Sequence, residues 1–262
     1  MNIHEYLNGK EENPLDNIIE SGGYASVFGR IACIGDSLSS GELQIINPRD
    51  EKPMGIDDYE ISFGQFLAKM IGSEVFNFSR GGMTAKEYAV SFSNEMGLYR
   101  PRFAADAYII ALGVNDLVNK NLTVGGIEDI NCENPCDHPD SFAGYLGEII
   151  LKYRALSEGA RFFLVTIPDA PRGDAQRKAV EDHRELMYAL AEKFDNTYVI
   201  DLNKYAPCFD AEFTRKYMLR GHMTAVGYRL IAVMINSYID YIVRNDPEAF
   251  RDVGLSGYEY IL

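Results

Sequence analysis

The sequence predicts an α/β fold in which a five-stranded parallel sheet carries helices on both faces. Two observations lead to it: five short apolar runs, and amphipathic segments with helical spacing between them. The apolar runs predict strands at Val27–Ile34, Glu74–Phe78, Ala107–Leu112, Arg161–Ile167 and Thr197–Leu202.

The amphipathic segments predict the helices that connect these strands. The second of them has an N-terminal cap at Thr84, with Glu87 three residues further on. In the last, apolar residues recur at helical spacing from Leu230 to Ile242. The predicted helices are Ile61–Ile71, Thr84–Met96, Asp140–Ser157, Gly173–Phe194 and Thr224–Val243.

Two segments fit neither pattern and are interpreted as long loops. Ser39–Asp58 is a polar insertion after the first strand, and Gly113–Pro139 follows the third strand. Both leave the carboxyl ends of strands, where the chemistry of such sheets gathers, so we expect them to wall a site.

Length and composition bound the organisation of the chain. With 262 residues, 47% hydrophobic and 24% charged, we expect one domain over residues 1–262, with a core of about 27–245 and an extension at each end. The C-terminal extension, with Phe250, Tyr258 and Tyr260, is expected to pack on the domain or on a partner subunit. The second alternative would allow the protein to form a homo-oligomer.

The charge of the chain and its lack of targeting signals limit the possible partners and location. The net charge of −14 disfavours binding to nucleic acid or to anionic membrane surfaces. The first 17 residues lack the features of a secretory signal, and no apolar run approaches ~18 residues, so a cytoplasmic location is expected.

The cysteines raise the question of a metal site. Cys132 and Cys136 form a C-x3-C pair with His138 close behind, a partial zinc pattern that lacks a second pair of ligands. We interpret them as reduced thiols in a loop and expect no metal. Cys33 lies in an apolar run and is interpreted as a core residue, and Cys208 stands alone.

Polar residues follow three of the predicted strands. Ser37 comes just beyond the first strand, after Gly35 and Asp36, on a tight turn at the rim of the sheet. The alternative is that Ser37 only caps a helix. Gly82 ends a double glycine after the second strand, and Asn115 offers an amide donor after the third.

One histidine stands out from the four in the chain. His222 precedes the final helix, and the order of the sheet would return its loop to the edge that carries Ser37. Taken singly, each of these residues is more often structural than catalytic, whereas their occurrence in this order along one chain is much more specific.

The ordered motifs Gly35-Asp36-Ser37-Leu38, Asn77 to Gly82, Gly113 to Asp116 and His222 resemble the SGNH, or GDSL-type, hydrolase family, over roughly residues 30–243. The resemblance implies a three-layer α/β/α sandwich, flavodoxin-like in winding. It implies that Ser37 is the nucleophile and His222 the general base. The Ser37 and Gly82 amides and the Asn115 side chain would form the oxyanion hole.

One position departs from the family pattern. The family places an aspartate three residues before the histidine, and here that residue is Leu219. Three interpretations stay open: a Ser-His dyad whose histidine is held by a backbone carbonyl, a displaced acid, or a site without activity. Asp210, Glu212 and Asp201 are the candidates for a displaced acid.

The resemblance implies hydrolysis of carboxylic esters (EC 3.1.1 class) without a cofactor. The acidic surface favours a small soluble ester, with short acyl or acetyl esters of carbohydrates as the narrower expectation. Asp36, Arg80 and Arg220 are weak candidates for substrate binding. The alternatives are a catalytically impaired ligand-binding protein of the same fold and a flavodoxin-type nucleotide or flavin binder.

Overall fold

The computed structural model of the protein describes residues 12–254, and a five-stranded parallel sheet lies at its centre. Across the sheet, its five strands stand in the order 2-1-3-4-5, numbered as they occur along the chain, which confirms the predicted flavodoxin-like winding. The strands of this sheet are β1 (Arg30–Gly35), β4 (Glu74–Ser79), β5 (Ala107–Ala111), β6 (Arg161–Val165) and β7 (Thr197–Ile200). Two small antiparallel pairs are β2 (Glu42–Ile46) with β3 (Pro53–Asp57), and β8 (Met218–Leu219) with β9 (His222–Met223).

Helices connect the strands, as the periodicity predicts, and their ends lie within two residues of those expected. The helices are α1 (Ser37–Ser40), α2 (Phe63–Ile71), α3 (Ala85–Glu87), α4 (Ser93–Glu95), α5 (Phe142–Leu156), α6 (Asp174–Lys193), α7 (Leu202–Tyr205), α8 (Ala211–Tyr217) and α9 (Ala225–Asn245). Thr84 caps α3 by accepting a hydrogen bond from the Glu87 amide at 3.1 Å. A π-helical turn at Tyr88–Phe92 joins α3 to α4, so the predicted helix over 84–96 is continuous but not uniformly α-helical.

Alternate side chains of the central strands face opposite helical layers, because successive residues of a strand point to opposite faces of the sheet. One buried cluster contains Ala32, Ile34, Tyr108, Ile110, Phe162 and Leu164 together with residues of α5 and α6. The other contains Ile31, Cys33, Ala107, Ile109, Phe163 and Val165 together with residues of α2 and α9. The molecule is therefore a three-layer α/β/α sandwich, as predicted, and Cys33 is a core residue.

The insertion at Ser39–Asp58 is not the irregular loop that the sequence predicts. Its middle forms the β2–β3 hairpin, in which Glu42 pairs with Asp57 and Ile46 with Pro53. Pro53 is tolerated because it is the first residue of its strand. The second predicted loop, 113–139, is also partly ordered, with a π-helical turn at Val114–Asn119 and a 3-10 turn at Ile127–Asp129.

The extensions pack on the domain where the structure describes them. Phe250 is buried against Phe28 and Tyr198, whereas Tyr258 and Tyr260 lie outside the described residues. Near the other end, Arg244 of α9 donates to Glu12 and Asp240 in a buried ion-pair cluster. No helix within residues 12–254 is long and apolar enough to cross a membrane.

Gly35 closes β1 at a point where no side chain fits. A Cβ at this position would overlap the Ser39 side chain and lie 3.0 Å from the Ala111 backbone oxygen. We expect Gly35→Ala to lower the free energy of unfolding by about 1–3 kcal/mol, measured by urea denaturation. Gly173→Ala is the matched control, since no heavy atom lies within 4 Å of its Cβ. A loss for Gly35→Ala no larger than that of the control would contradict the packing argument.

His183 of α6 supports the end of β5 and makes the stability of the fold depend on pH. Its Nε2 donates to the Leu112 carbonyl at 3.2 Å, and Nδ1 has no partner within residues 12–254. Burial lowers the pKa of His183 from 6.5 to about 4. The unfolded chain therefore binds a proton, and the folded protein does not, as the pH falls from 6.5 towards 4, so acid favours unfolding.

We expect the free energy of unfolding of wild type, relative to His183→Gln, to fall by about 2 kcal/mol between pH 7 and pH 4.5. The measurement is urea denaturation of both proteins at each pH. Parallel pH profiles for the two proteins would show that His183 does not resist protonation in the fold.

Candidate active site

Ser37 lies just beyond the carboxyl end of β1, and a buried aspartate separates it from the strand. Asp36 is 1% exposed, and its carboxylate accepts a hydrogen bond from the Leu38 amide at 3.0 Å, which caps α1. Ser37 is the first residue of that short helix. Burial is the main cause that raises the pKa of Asp36 to about 7, and the nearby Asp116 and Glu42 carboxylates add to it.

Asn115 joins the loops of three strands. Its amide nitrogen donates to the Met83 carbonyl at 3.1 Å and lies 3.3 Å from Asp36 Oδ2. Its amide oxygen accepts from Asn119 at 2.8 Å. The predicted oxyanion donor therefore has internal partners in this state, and one of these contacts must be exchanged before it donates to a substrate.

Asp116 holds the segment beside Asn115 in place through backbone bonds. It is fully buried, and both of its oxygens accept from the Ala85 amide, at 2.9 and 3.2 Å. Burial raises the pKa of Asp116 to about 6. Asp116 is thus a structural link between the ends of β4 and β5.

The double glycine after β4 forms an open turn. Gly82 has a φ of +72°, and a Cβ there would meet no atom within 4 Å. The Gly81 amide donates to Asp57 of the β2–β3 hairpin at 3.0 Å. The turn therefore exposes its backbone to the space in front of Ser37, with the hairpin packed on its outer side.

His222 lies in β9, directly opposite Leu219 of β8, and its ring faces the β2–β3 hairpin. Nε2 is 3.4 Å from Glu42 Oε1, and Nδ1 is 3.2 Å from Gln44 Nε2. These are the polar contacts of the imidazole within residues 12–254, and neither of them is with Ser37.

One cavity brings the four predicted site residues together. It has a volume of about 660 Å³, and Ser37, Gly82, Asn115 and His222 all line it. Asp36 and Glu42 also line it. The rest of the wall is mainly apolar and reaches between the sheet and α9, with Phe63, Val165, Ile167, Leu202, Ile231 and Ile235.

The three carboxylates considered as displaced acids make their hydrogen bonds elsewhere. Asp201 is buried and accepts from Thr166, Arg184, Tyr188 and the Lys204 amide. The other two belong to α8: Asp210 caps this helix, and Glu212 pairs with Lys216. None of these contacts involves His222.

The arginines considered for substrate binding also lie away from the cavity wall. Arg80 pairs with Glu87, and Arg220 is exposed in the β8–β9 turn with a φ of +51°. Arg172, which the sequence analysis did not single out, does line the cavity, and it donates to the Pro168 carbonyl at 3.0 Å.

Glu42 and Gln44 are the main residues that sequence reasoning missed. They lie in the insertion that was expected to wall a site, 180 and 178 residues before His222, but no spacing rule links these two residues to the histidine. The alternation of Leu43 with Gln44 and Ile45 was the only available signal, and it covers too few residues to predict a strand.

The cysteine segment does not assemble a ligand set. Cys136 Sγ lies 3.4 Å from Glu148 Oε1, and His138 Nε2 lies 3.0 Å from Glu148 Oε2, while Cys132 is exposed. No group of three or more His, Cys, Asp or Glu side chains within residues 12–254 is placed to hold a metal ion.

Comparison with solved structures places this architecture among known folds. A protein from Lactobacillus plantarum is similar, with 17% identity and a TM-score of 0.60 over 82% of this chain and 97% of that chain. A family two carbohydrate esterase from Clostridium thermocellum, in complex with cellohexaose, has 13% identity and a TM-score of 0.54, covering 84% of this chain. This chain spans 65% of that esterase. At these identities the likeness concerns the fold alone.

A second carbohydrate esterase of family 2, from Corynascus thermopiles (Myceliophthora fergusii), carries an additional carbohydrate binding domain. It shares 14% identity and a TM-score of 0.54, over 82% of this chain and 66% of its own length. No curated protein matches the sequence.

The sequence itself matches a family model, and the match covers three quarters of the chain. The model is that of the GDSL-like lipase/acylhydrolases, and it matches residues 33–230, which run from β1 into the first turns of α9. With the motifs at the ends of β1, β4 and β5 on one cavity, this match establishes the family. The chain belongs to the GDSL-like lipase/acylhydrolase family and is a GDSL-type esterase/acylhydrolase.

Proposed function

We propose that the protein hydrolyses carboxylic esters of small soluble molecules, with Ser37 as nucleophile and His222 as general base. Membership in the family supports ester hydrolysis in general. The observation that carries the residue assignment is the shared cavity, which Ser37, Gly82, Asn115 and His222 line together. Position 219 carries no acid, so the proposal names a Ser-His pair.

The first half of the reaction transfers the acyl group to the protein. Ser37 Oγ bonds to the acyl carbon while its proton passes to the His222 imidazole. The imidazolium then gives this proton to the leaving alkoxide as the ester C–O bond breaks. An acyl-serine and a free alcohol are the products of this half.

The second half restores the serine. His222 takes a proton from water, whose oxygen bonds to the acyl carbon, and the imidazolium returns a proton to Ser37 Oγ as its bond to carbon breaks. In both halves, the Ser37 and Gly82 amides and the Asn115 amide stabilise the negative charge on the carbonyl oxygen. One such donor is typically worth ~10²–10³ in turnover.

The shape and lining of the cavity bear on the acyl group. The apolar walls between the sheet and α9 suit an aliphatic chain, and the carboxylate of Glu42 suits a hydroxyl-rich alcohol at the rim. We therefore propose short acyl esters as substrates, with acetyl esters of carbohydrates as a narrower form of the proposal.

The nucleophile assignment is tested with a fluorophosphonate probe and mass spectrometry. We expect the probe to modify Ser37 in wild type and to leave Ser37→Ala and His222→Ala unmodified, because an unactivated serine reacts slowly. Both variants should lose at least ~10³-fold in kcat on a short ester. Circular dichroism and thermal unfolding check that each variant is folded.

Equal labelling of wild type and Ser37→Ala would show that the nucleophile is a different residue. A folded wild type that neither reacts with the probe nor cleaves esters would instead favour the alternative, a catalytically impaired protein of this fold that binds its ligand without turnover.

The acyl preference is tested with p-nitrophenyl esters of increasing chain length. We expect kcat/KM to rise from acetate to butyrate and hexanoate, by up to about fourfold for each methylene, since burying one is worth about 0.8 kcal/mol. The highest kcat/KM on acetate, together with cleavage of acetylated sugars, would leave only the narrower form of the proposal.

A further inference from the structure

The position from which this family supplies its acid is occupied here by an aliphatic side chain. Leu219 lies opposite His222 in the β8–β9 ladder and is 53% exposed. Directly opposite residues of an antiparallel pair project on the same side, with Cβ atoms ~5 Å apart. An acid at 219 would thus reach the imidazole, and leucine offers it no acceptor.

A carboxylate approaches the same imidazole from the other hairpin. Glu42 Oε1 lies 3.4 Å from His222 Nε2, and the two side chains are only 16% and 24% exposed. Partial burial weakens screening by solvent and salt, so a carboxylate at this distance acts on the charge of the ring more strongly than a surface ion pair does.

The backbone of Glu42 is tied to that of the nucleophile. The Tyr228 hydroxyl, on α9, lies 2.8 Å from the Glu42 carbonyl oxygen and 3.0 Å from the Ser37 carbonyl oxygen. Gly41, between them, adopts a φ of +81° that turns the chain from α1 into β2. Glu42 is therefore held at a fixed offset from Ser37.

The side chain of Glu42 is confined as well. Gln44 donates from Nε2 to Glu42 Oε1 at 2.9 Å. On the other side, a Cβ added at Gly81 would lie 2.5 Å from Glu42 Oε2, so the carboxylate rests against the backbone of the glycine turn. These contacts leave it few other rotamers.

Gln44 also determines which ring nitrogen carries the proton. Its amide nitrogen donates to Glu42, so the same group faces His222 Nδ1 as a donor. Nδ1 is then the unprotonated nitrogen of the neutral imidazole, and Nε2, 3.4 Å from Glu42 Oε1, carries the proton. Facing that N–H as an acceptor, without taking its proton, and orienting the ring is the part that a triad carboxylate plays.

We propose that Glu42 is the positioning carboxylate of this site and replaces the acid that Leu219 cannot supply. The inference rests on the proposed function of Ser37 and His222. As Oγ bonds to the acyl carbon, its proton passes to the imidazole nitrogen that Glu42 does not hold, after Gln44 releases that nitrogen. Glu42 keeps the other N–H and stabilises the imidazolium until the proton passes to the leaving alkoxide.

The inference links the departure of this chain from the family pattern to its β2–β3 hairpin. The aspartate at the third position before the histidine is missing, and the hairpin follows the first strand. If the hairpin supplies the carboxylate, the loss at 219 needs no other compensation. The acid then comes from the segment that carries the nucleophile rather than from the histidine loop.

The test compares kcat and KM of Glu42→Gln with wild type on a p-nitrophenyl ester. Glu42→Gln keeps the shape of the side chain and an oxygen for Gln44, and it removes the charge. We expect kcat to fall by at least ~10²-fold with KM changed less than about threefold, because the charge acts mainly on the transition state. Glu51→Gln, in the exposed turn of the same hairpin, is the matched control and should keep wild-type kcat.

A rescue variant distinguishes a role of Glu42 in positioning His222 from a role in stabilising the hairpin. In Glu42→Gln/Leu219→Asp, the new aspartate occupies the position opposite His222 and should recover at least ~10-fold of the lost kcat. Asp210→Asn and Glu212→Gln should each stay within ~10-fold of wild type. Circular dichroism and thermal unfolding check the folding of all variants.

A kcat of Glu42→Gln within ~10-fold of wild type overturns the inference, and so does a larger loss that Leu219→Asp fails to recover. If Ser37→Ala and His222→Ala lose activity in the same assay, the proposed function stands in either case. If those two variants keep activity, the proposed function fails and the role of Glu42 fails with it.

Discussion

The geometry of the site depends on the buried carboxylate of Asp36. This side chain is almost inaccessible to solvent, yet it lies between the Leu38 amide at the start of α1 and the amide group of Asn115 after β5. A buried charge is costly unless hydrogen bonds satisfy it, so these two donors are held where the carboxylate needs them. The position of the candidate nucleophile, Ser37, relative to the candidate oxyanion donor, Asn115, is thereby fixed.

Much of this arrangement is predictable from the sequence, because it follows from local patterns and from one topological rule. Apolar runs locate the five strands of the sheet, and helical periodicity locates the connecting helices within a few residues. Parallel strands bring their carboxyl ends to one edge, so Ser37, Gly82 and Asn115 are expected near each other. The loop of His222 returns to the same edge and lines the same cavity.

The β2–β3 hairpin and its contacts with His222 could not be predicted. The hairpin is short, half of its residues are polar, and prolines stand at 48 and 53, so its alternation is too brief to distinguish a strand from a loop. An isolated two-stranded hairpin is marginally stable, and this one depends on contacts with Tyr228, Ser40 and Gly81. Interactions between segments so distant in the chain have no local signature.

The acidic groups around the cavity have a consequence for the end of the reaction cycle. A neutral ester entering past Glu42 meets no net repulsion, whereas the carboxylic acid that its hydrolysis releases is an anion at neutral pH. In a protein of net charge −14, that anion leaves down an electrostatic gradient. The same negative charge would thus weaken the binding of product and keep the cavity free for the next substrate.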